Sequence, residues 1–330
     1  MVFFFLYAYF LGQGHIMKQK KKEVKKLDEQ LMKLLKYFPE KVSSALMVFL
    51  NAIKGQTLYV SEIRLRANAP MSVSFAGRNV LRFGGAYVIC NEAEVAETLQ
   101  KLCEDSVHTY GETIKEGYVM LENGYRIGVC GRAGISGDSI RSIYGMTSLS
   151  IRIPHPISGA SHEILRYIRQ ESIQGALIYA PPNVGKTTLI RDMAATLSKG
   201  NHAKRVALID TRGEIYMKSM FAESIVDVLH GYPRAKGIEI ATRTLSPEVI
   251  FCDEIGSAEE AKAILSAANS GVPLIATAHA ESFDTLLKRP NIRTLYDHHI
   301  FRYYIGLSRK EGTGSFLFDI LDAEKVALVV

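Results

Sequence analysis

The chain has 330 residues, 47% of them hydrophobic, which is more than one core ordinarily holds and predicts two globular domains. Its formal charge of +6 (40 basic minus 34 acidic residues) is concentrated: Lys18 to Lys26 holds six lysines and one glutamate, +5, and leaves +1 for everything else. That balance argues against a polyanion as the main partner. Four scattered cysteines with no CxxC pair, Cys90, Cys103, Cys130 and Cys252, argue against a metal site or a disulfide framework and are read as buried thiols of a reducing compartment.

Met1 to Leu11 is uniformly apolar but too short to span a bilayer as a helix. The positive charges follow it instead of preceding it, and no small-residue cleavage site is present, so it does not read as a signal peptide. Met17 is the expected start of the working protein, with a membrane-touching tail as the alternative. The lysine run reads as a solvated helix start, or else as a contact for an anionic membrane surface or RNA.

From Leu27 the pattern turns helical, with Leu27, Leu31, Leu34 and Leu35 on one face. Pro39 interrupts it, and Val42, Leu46, Phe49, Leu50 and Ile53 resume it. Strands are predicted at Tyr59 to Leu65, Met71 to Phe75, Ala86 to Ile89, Gly117 to Leu121 and Tyr125 to Cys130, with a helix at Glu92 to Cys103. Pro154 to Gly159 is the best linker, so an α+β domain is expected over 27–153, a linker over 154–160 and a second domain over 161–330.

The second domain alternates strand and helix, which predicts a mostly parallel sheet with helices on both faces. The run Ala176 to Tyr179 leads into Ala180-Pro181-Pro182-Asn183-Val184-Gly185-Lys186-Thr187-Thr188 and then a helix, which is a Walker A phosphate loop in its required setting. Backbone N–H groups around Val184 to Thr188 would face phosphates at the positive end of the helix dipole. Lys186 would supply a mobile charge, and Thr187 a hydroxyl for Mg²⁺, so the expected ligand is Mg·ATP. Ala180 stands where the first glycine usually is, and a slightly altered turn is expected.

Pro247 to Glu254 reads as a buried strand that delivers Asp253 toward Mg²⁺ and Glu254 toward the attacking water. Ser257 with Glu260 makes a capping box for the helix that follows. Asp210-Thr211-Arg212-Gly213-Glu214 places two carboxylates and an arginine at the ligand edge of the sheet, either as catalytic groups, Glu214 among them, or as a structural cap. His279 ends another strand as a γ-phosphate sensor or a structural histidine. Arg243, ahead of the acidic strand, could face phosphate or a neighbouring subunit.

The order Walker A, DTRGEI, Arg243, SPEVIFCDEIG and ATAHA resembles the secretion ATPase superfamily. With Glu62-Ile63-Arg64-Leu65-Arg66, Gly124 to Arg132, Ser148 to Ile153 and DEIGSAEEA, the chain resembles the stage III sporulation AA family from about Leu27 to Asp319. The resemblance implies a RecA-like P-loop ATPase domain preceded by a smaller α+β domain. It implies a cytoplasmic motor or assembly ATPase on the mother-cell side of the forespore membrane, working with membrane proteins of the same sporulation complex. It also implies a homo-oligomer, a hexamer in similar ATPases, in which Arg152 and Arg132, ahead of Arg126 and Arg141, contact the nucleotide. The apolar N-terminal extension is not a feature of that family. Two other readings stay open: a nucleotide-gated assembly factor with little turnover, and a nucleic-acid-dependent ATPase, for which no basic, aromatic-bearing module is visible.

Overall fold

A computed structural model describes residues 31–53, 60–121, 124–154, 157–169, 172–309 and 316–327. The apolar N-terminal run and the lysine run therefore lie outside the described residues. The chain divides into two compact units, Met1–His155 and Pro156–Val330.

In the N-terminal unit, Pro39 ends a short 3₁₀ turn at Leu35–Tyr37, and helix α1 (Glu40–Ile53) follows. The strands are β1 (Val60–Arg66), β2 (Ala69–Phe75), β3 (Arg78–Val80), β4 (Tyr118–Met120), β5 (Arg126–Ser136) and β6 (Ser139–Arg152). They form one antiparallel sheet in the order β3-β2-β1-β6-β5-β4. Helix α2 (Glu92–Leu102) starts from an Asn91 cap whose side chain accepts from the Glu94 N–H, with Glu94 reaching back to the Asn91 N–H. Val42, Leu46, Ile63, Leu65, Val95, Leu99, Ile127 and Leu149 share its core.

Three expectations need correction in this unit. Ala86 to Ile89 is not a strand; it makes only isolated bridges, while the third strand of the β1–β2–β3 meander is Arg78–Val80. β5 runs on well past Cys130, because Gly131 and Gly134 let β6 lie close against it: a Cβ at either would meet β6 atoms within 2.8 Å. Cys130 is exposed, since the two-residue period that turns Ile127 and Val129 inward turns it out, while Cys90, Cys103 and Cys252 are buried as expected.

In the C-terminal unit, short helix α3 (His162–Ile168) precedes β7 (Ala176–Ala180), helix α4 (Lys186–Leu197), β8 (Val206–Asp210) and β9 (Val226–His230). Helix α5 (Arg234–Ile240) runs into a π-helical turn at Ala241–Leu245; then come β10 (Val249–Cys252), α6 (Ala258–Ala268) and β11 (Leu274–His279). Helices Phe283–Leu287 and Pro290–Asp297 lead to the β12 (Tyr303–Arg309) and β13 (Phe316–Asp322) pair. The sheet order is β13-β12-β7-β11-β10-β8-β9, with every pairing parallel except β12–β13.

Neighbouring residues on these strands serve opposite cores. Ile178, Leu208, Val249, Phe251 and Ile305 pack on one face with Leu189, Ile190 and Met193 of α4. Leu177, Ala207, Ile250, Cys252 and Tyr304 pack on the other with Ile238 and Ile264. Both faces are covered, which is why the strands read as unbroken apolar runs.

Candidate nucleotide site

Six parallel strands bring their C-terminal ends to one edge, and the loop between β7 and α4 lies there. Ala180 is the last, fully buried residue of β7, and its φ is not positive. The turn expected at Ala180 therefore lies later, at Asn183 (φ 63°) and Gly185 (φ 123°). Asparagine tolerates the left-handed region, whereas Gly185 leaves no room for a side chain: a Cβ there would lie 2.7 Å from Phe316 Cε1 and 3.2 Å from Arg309 Nη2.

Lys186 is buried at the start of α4 and spends its three N–H bonds inside the site. It donates to the Ala180 carbonyl (2.8 Å), the Pro181 carbonyl (3.0 Å) and His279 Nδ1 (2.9 Å). Burial pulls the ammonium below its usual pKa, and the charge of Glu254 opposes that shift. Because the ammonium can only donate, His279 Nδ1 accepts and its Nε2–H donates to Glu254 Oε1 at 2.9 Å. The other carboxylate oxygen of Glu254 accepts from Arg212 Nη1 at 2.9 Å. Lys186, His279, Glu254 and Arg212 thus form one continuous chain of charge-assisted hydrogen bonds across the ends of β7, β11, β10 and β8.

Glu254 adopts φ 45°, which a side-chain-bearing residue enters only when held there. Thr277 of β11 does the holding: its hydroxyl accepts the Glu254 N–H at 2.8 Å, and its carbonyl accepts the Ile255 N–H at 2.8 Å. Asp253, just before it, is buried and accepts from Arg234 Nε at 3.2 Å. Burial pushes the Asp253 carboxyl up to about 6 despite that arginine. Arg234 also pairs with Glu260 at 3.5 Å, and Glu260 in turn accepts the N–H groups of Gly256 and Ser257. Ser257 and Glu260 complete the expected capping box of α6.

Asp210 turns out to shape the turn after β8: its fully buried carboxylate accepts the N–H groups of Glu214, Ile215 and Tyr216. Arg191 of α4 donates to the Ile215 carbonyl at 2.8 Å and to the Glu214 carbonyl, which ties the phosphate-loop helix to this turn. Thr187 and Thr188 lie in the first turn of α4, and Pro181 to Val184 lead into it. Arg243 is exposed on the π-helical turn and pairs with Glu239 at 2.7 Å, not with a residue of the loop. Arg132 and Arg152 lie on β5 and β6 of the N-terminal unit, with Arg152 3.8 Å from Glu62.

Among the described residues, no cluster of three or more His, Cys, Asp and Glu side chains forms a ready metal centre. A hydroxyl at Thr187 and a carboxylate at Asp253 are hard oxygen donors of the kind that suit Mg²⁺, which takes one or two protein ligands and completes its shell with phosphate oxygens and water. The residues fit that ion in donor chemistry.

Two contributors carry no motif. Arg309 at the end of β12 donates from Nε to the Val184 carbonyl at 2.7 Å, and its guanidinium lies 5.3 Å from the ring centroid of Phe316, its cross-strand partner. Arg234 stands 19 residues before Asp253, with nothing in its surroundings to mark it. Asp192, on the inner face of α4, accepts from the Ser161 and Gly159 N–H groups and so anchors the segment that leads into the unit.

Residues 32–325 match the family described as sporulation stage III, protein AA. The chain belongs to this family. It is 34% identical over 288 residues to stage III sporulation protein AA of Bacillus subtilis (strain 168), covering 84% of this chain and 91% of that protein. In fold, this family member is similar to the ATPase DotB of Legionella pneumophila, with a TM-score of 0.60 at 15% identity over 88% of this chain and 82% of that one. It is equally similar to the pilus retraction motor PilT with bound ADP, with a TM-score of 0.60 at 20% identity over 84% and 82%. The fold of this sporulation protein is therefore that of the P-loop secretion ATPases. No helix among its described residues is long and apolar enough to cross a membrane.

Proposed function

We propose that this chain binds Mg·ATP on the 181–188 loop and hydrolyses it, and that the cycle drives a motor or assembly step of the sporulation complex its family serves. One observation carries the reading: Lys186, the phosphate-binding lysine, and Glu254, the water-activating carboxylate, are joined through His279 by two 2.9 Å hydrogen bonds at the ligand edge of the sheet. Phosphate arriving at the loop competes for Lys186, and that change reaches Glu254 through a single imidazole. Glu254 takes a proton from the attacking water, Thr187 and Asp253 would hold Mg²⁺, and His279 reports the γ-phosphate. When bound, Mg²⁺ would neutralise charge that develops on the phosphates. Glu214, Arg243, Arg132 and Arg152 remain assigned to the site by sequence and resemblance alone. The ring-forming partner is another copy of the chain, a hexamer by the same resemblance, and the other partners are membrane proteins of the same complex, peripherally contacted from the mother-cell side.

A nucleotide-gated assembly factor is the second reading, and it is favoured by the occupation of both Glu254 oxygens by Arg212 and His279. The near-balanced charge outside the lysine run disfavours a nucleic-acid-dependent enzyme. Turnover of Mg·ATP per subunit, followed against protein concentration, separates the two main readings. A motor assembled from copies shows turnover that rises with concentration, whereas a gate shows saturable Mg·ATP binding with no turnover at any concentration.

A further inference from the structure

Glu254, two residues past β10, and His279 at the end of β11 lie on one side of β7 in the sheet order β12-β7-β11-β10. If the loop holds a triphosphate, the phosphoryl group under attack faces that side. The chain of phosphates then follows the loop, and the nucleoside departs on the opposite side of β7, where β12 is its neighbour.

What stands there is specific. Arg309 and Phe316 are the facing residues at the end of the β12–β13 ladder. The guanidinium lies over the ring at 5.3 Å, and its Nε is fixed on the Val184 carbonyl at 2.7 Å, so the pair is docked on the phosphate loop itself. The rim of the ring fills the space beside Gly185. Phe316 is only half-buried and Arg309 is exposed. A planar cation layered on an aromatic ring is a surface on which any nucleobase stacks, whatever its hydrogen-bonding edge.

We infer that Arg309 and Phe316 form the stacking platform for the base of the bound nucleoside triphosphate. This rests on the phosphate-loop reading above, and it adds which residues read the part of the ligand beyond the phosphates. The Arg309 bond to Val184 couples the two halves of the site: the loop that grips phosphate and the platform that grips the base move as one.

The chain contains no tryptophan, so Phe316→Trp places a single indole fluorophore at the platform. In the full chain, Mg·ATP is expected to quench its emission, whereas Mg·tripolyphosphate is expected to bind without quenching. Phe316→Leu, which keeps apolar packing against Gly185, is expected to bind Mg·ATP about tenfold more weakly, with tripolyphosphate affinity unchanged. Indole emission unmoved by saturating Mg·ATP would overturn the platform. So would a Phe316→Leu chain that loses ATP and tripolyphosphate affinity equally, because the ring would then only brace the loop. A parent chain that binds neither ligand would instead bring down the phosphate-loop reading, and the platform with it.

Discussion

At the scale of single residues, the loop shows how backbone conformation selects side chains. Ala180 occupies the position where a first glycine is expected, yet it lies in extended β7 with its carbonyl turned to Lys186, so its methyl group meets no conformational penalty. Gly185 differs: its φ of 123° and the 2.7 Å approach of Phe316 exclude any side chain. Ala180→Gly is thus expected to leave Mg·ATP affinity unchanged and to cost about 0.5–1 kcal/mol of stability from the added unfolded-state freedom. Gly185→Ala is expected to lose nucleotide binding by more than about tenfold, with about 1–3 kcal/mol of backbone strain. Thermal unfolding and titration with Mg·ATP check both. If Ala180→Gly tightened binding instead, the loop would need more freedom than this geometry gives it.

At the scale of elements, the sheet's ligand edge is assembled by links between neighbouring strand ends. Thr277 on β11 pins the strained Glu254 just past β10, Asp210 on β8 folds the next turn back, and Arg191 on α4 clasps that turn. Arg234 at the head of α5 ties β10 to α6 through Asp253 and Glu260, with all three side chains largely buried. Removing one member of a buried ion pair strands the others, so Arg234→Ala is expected to cost about 3–5 kcal/mol. Arg234→Met, which keeps bulk without charge, is expected to do no better, because Asp253 and Glu260 stay buried without their cation. Urea denaturation measures this, and a loss below about 1 kcal/mol, the range of a surface pair, would mean that the triad is solvated.

Much of this scale was legible in the sequence. The buried parallel strands β7, β8, β10 and β11 announce themselves as apolar runs, with Asp210 and His279 closing β8 and β11, and the box at Ser257 and Glu260 is a local signal of helix initiation. The edge strands β9 and β13 were not, being half-exposed and weakly alternating, and neither was β6, which lies between β1 and β5 but mixes serine and glycine into its pattern. Arg234, Arg309 and Phe316 act through contacts made between separate segments, and no local spacing encodes those.

At the scale of the whole molecule, the chain pairs an antiparallel α+β unit with a parallel-sheet unit whose fold is shared with secretion ATPases at 15–20% identity. Similarity that low shows the fold alone, and the contacts at the sheet's ligand edge are read from this chain. Arg212 is one of these contacts: it occupies an oxygen of the carboxylate proposed to handle water. The direct test of Mg·ATP hydrolysis at this edge is phosphate release from Mg·ATP by the parent chain and by Glu254→Gln, with Mg·ATP binding followed in the same samples. Steady release is expected from the parent, and release reduced by at least about a hundredfold from Glu254→Gln with binding retained. Release at the parent's rate from Glu254→Gln would contradict it, because the carboxylate held by Arg212 and His279 would then have no part in the chemistry.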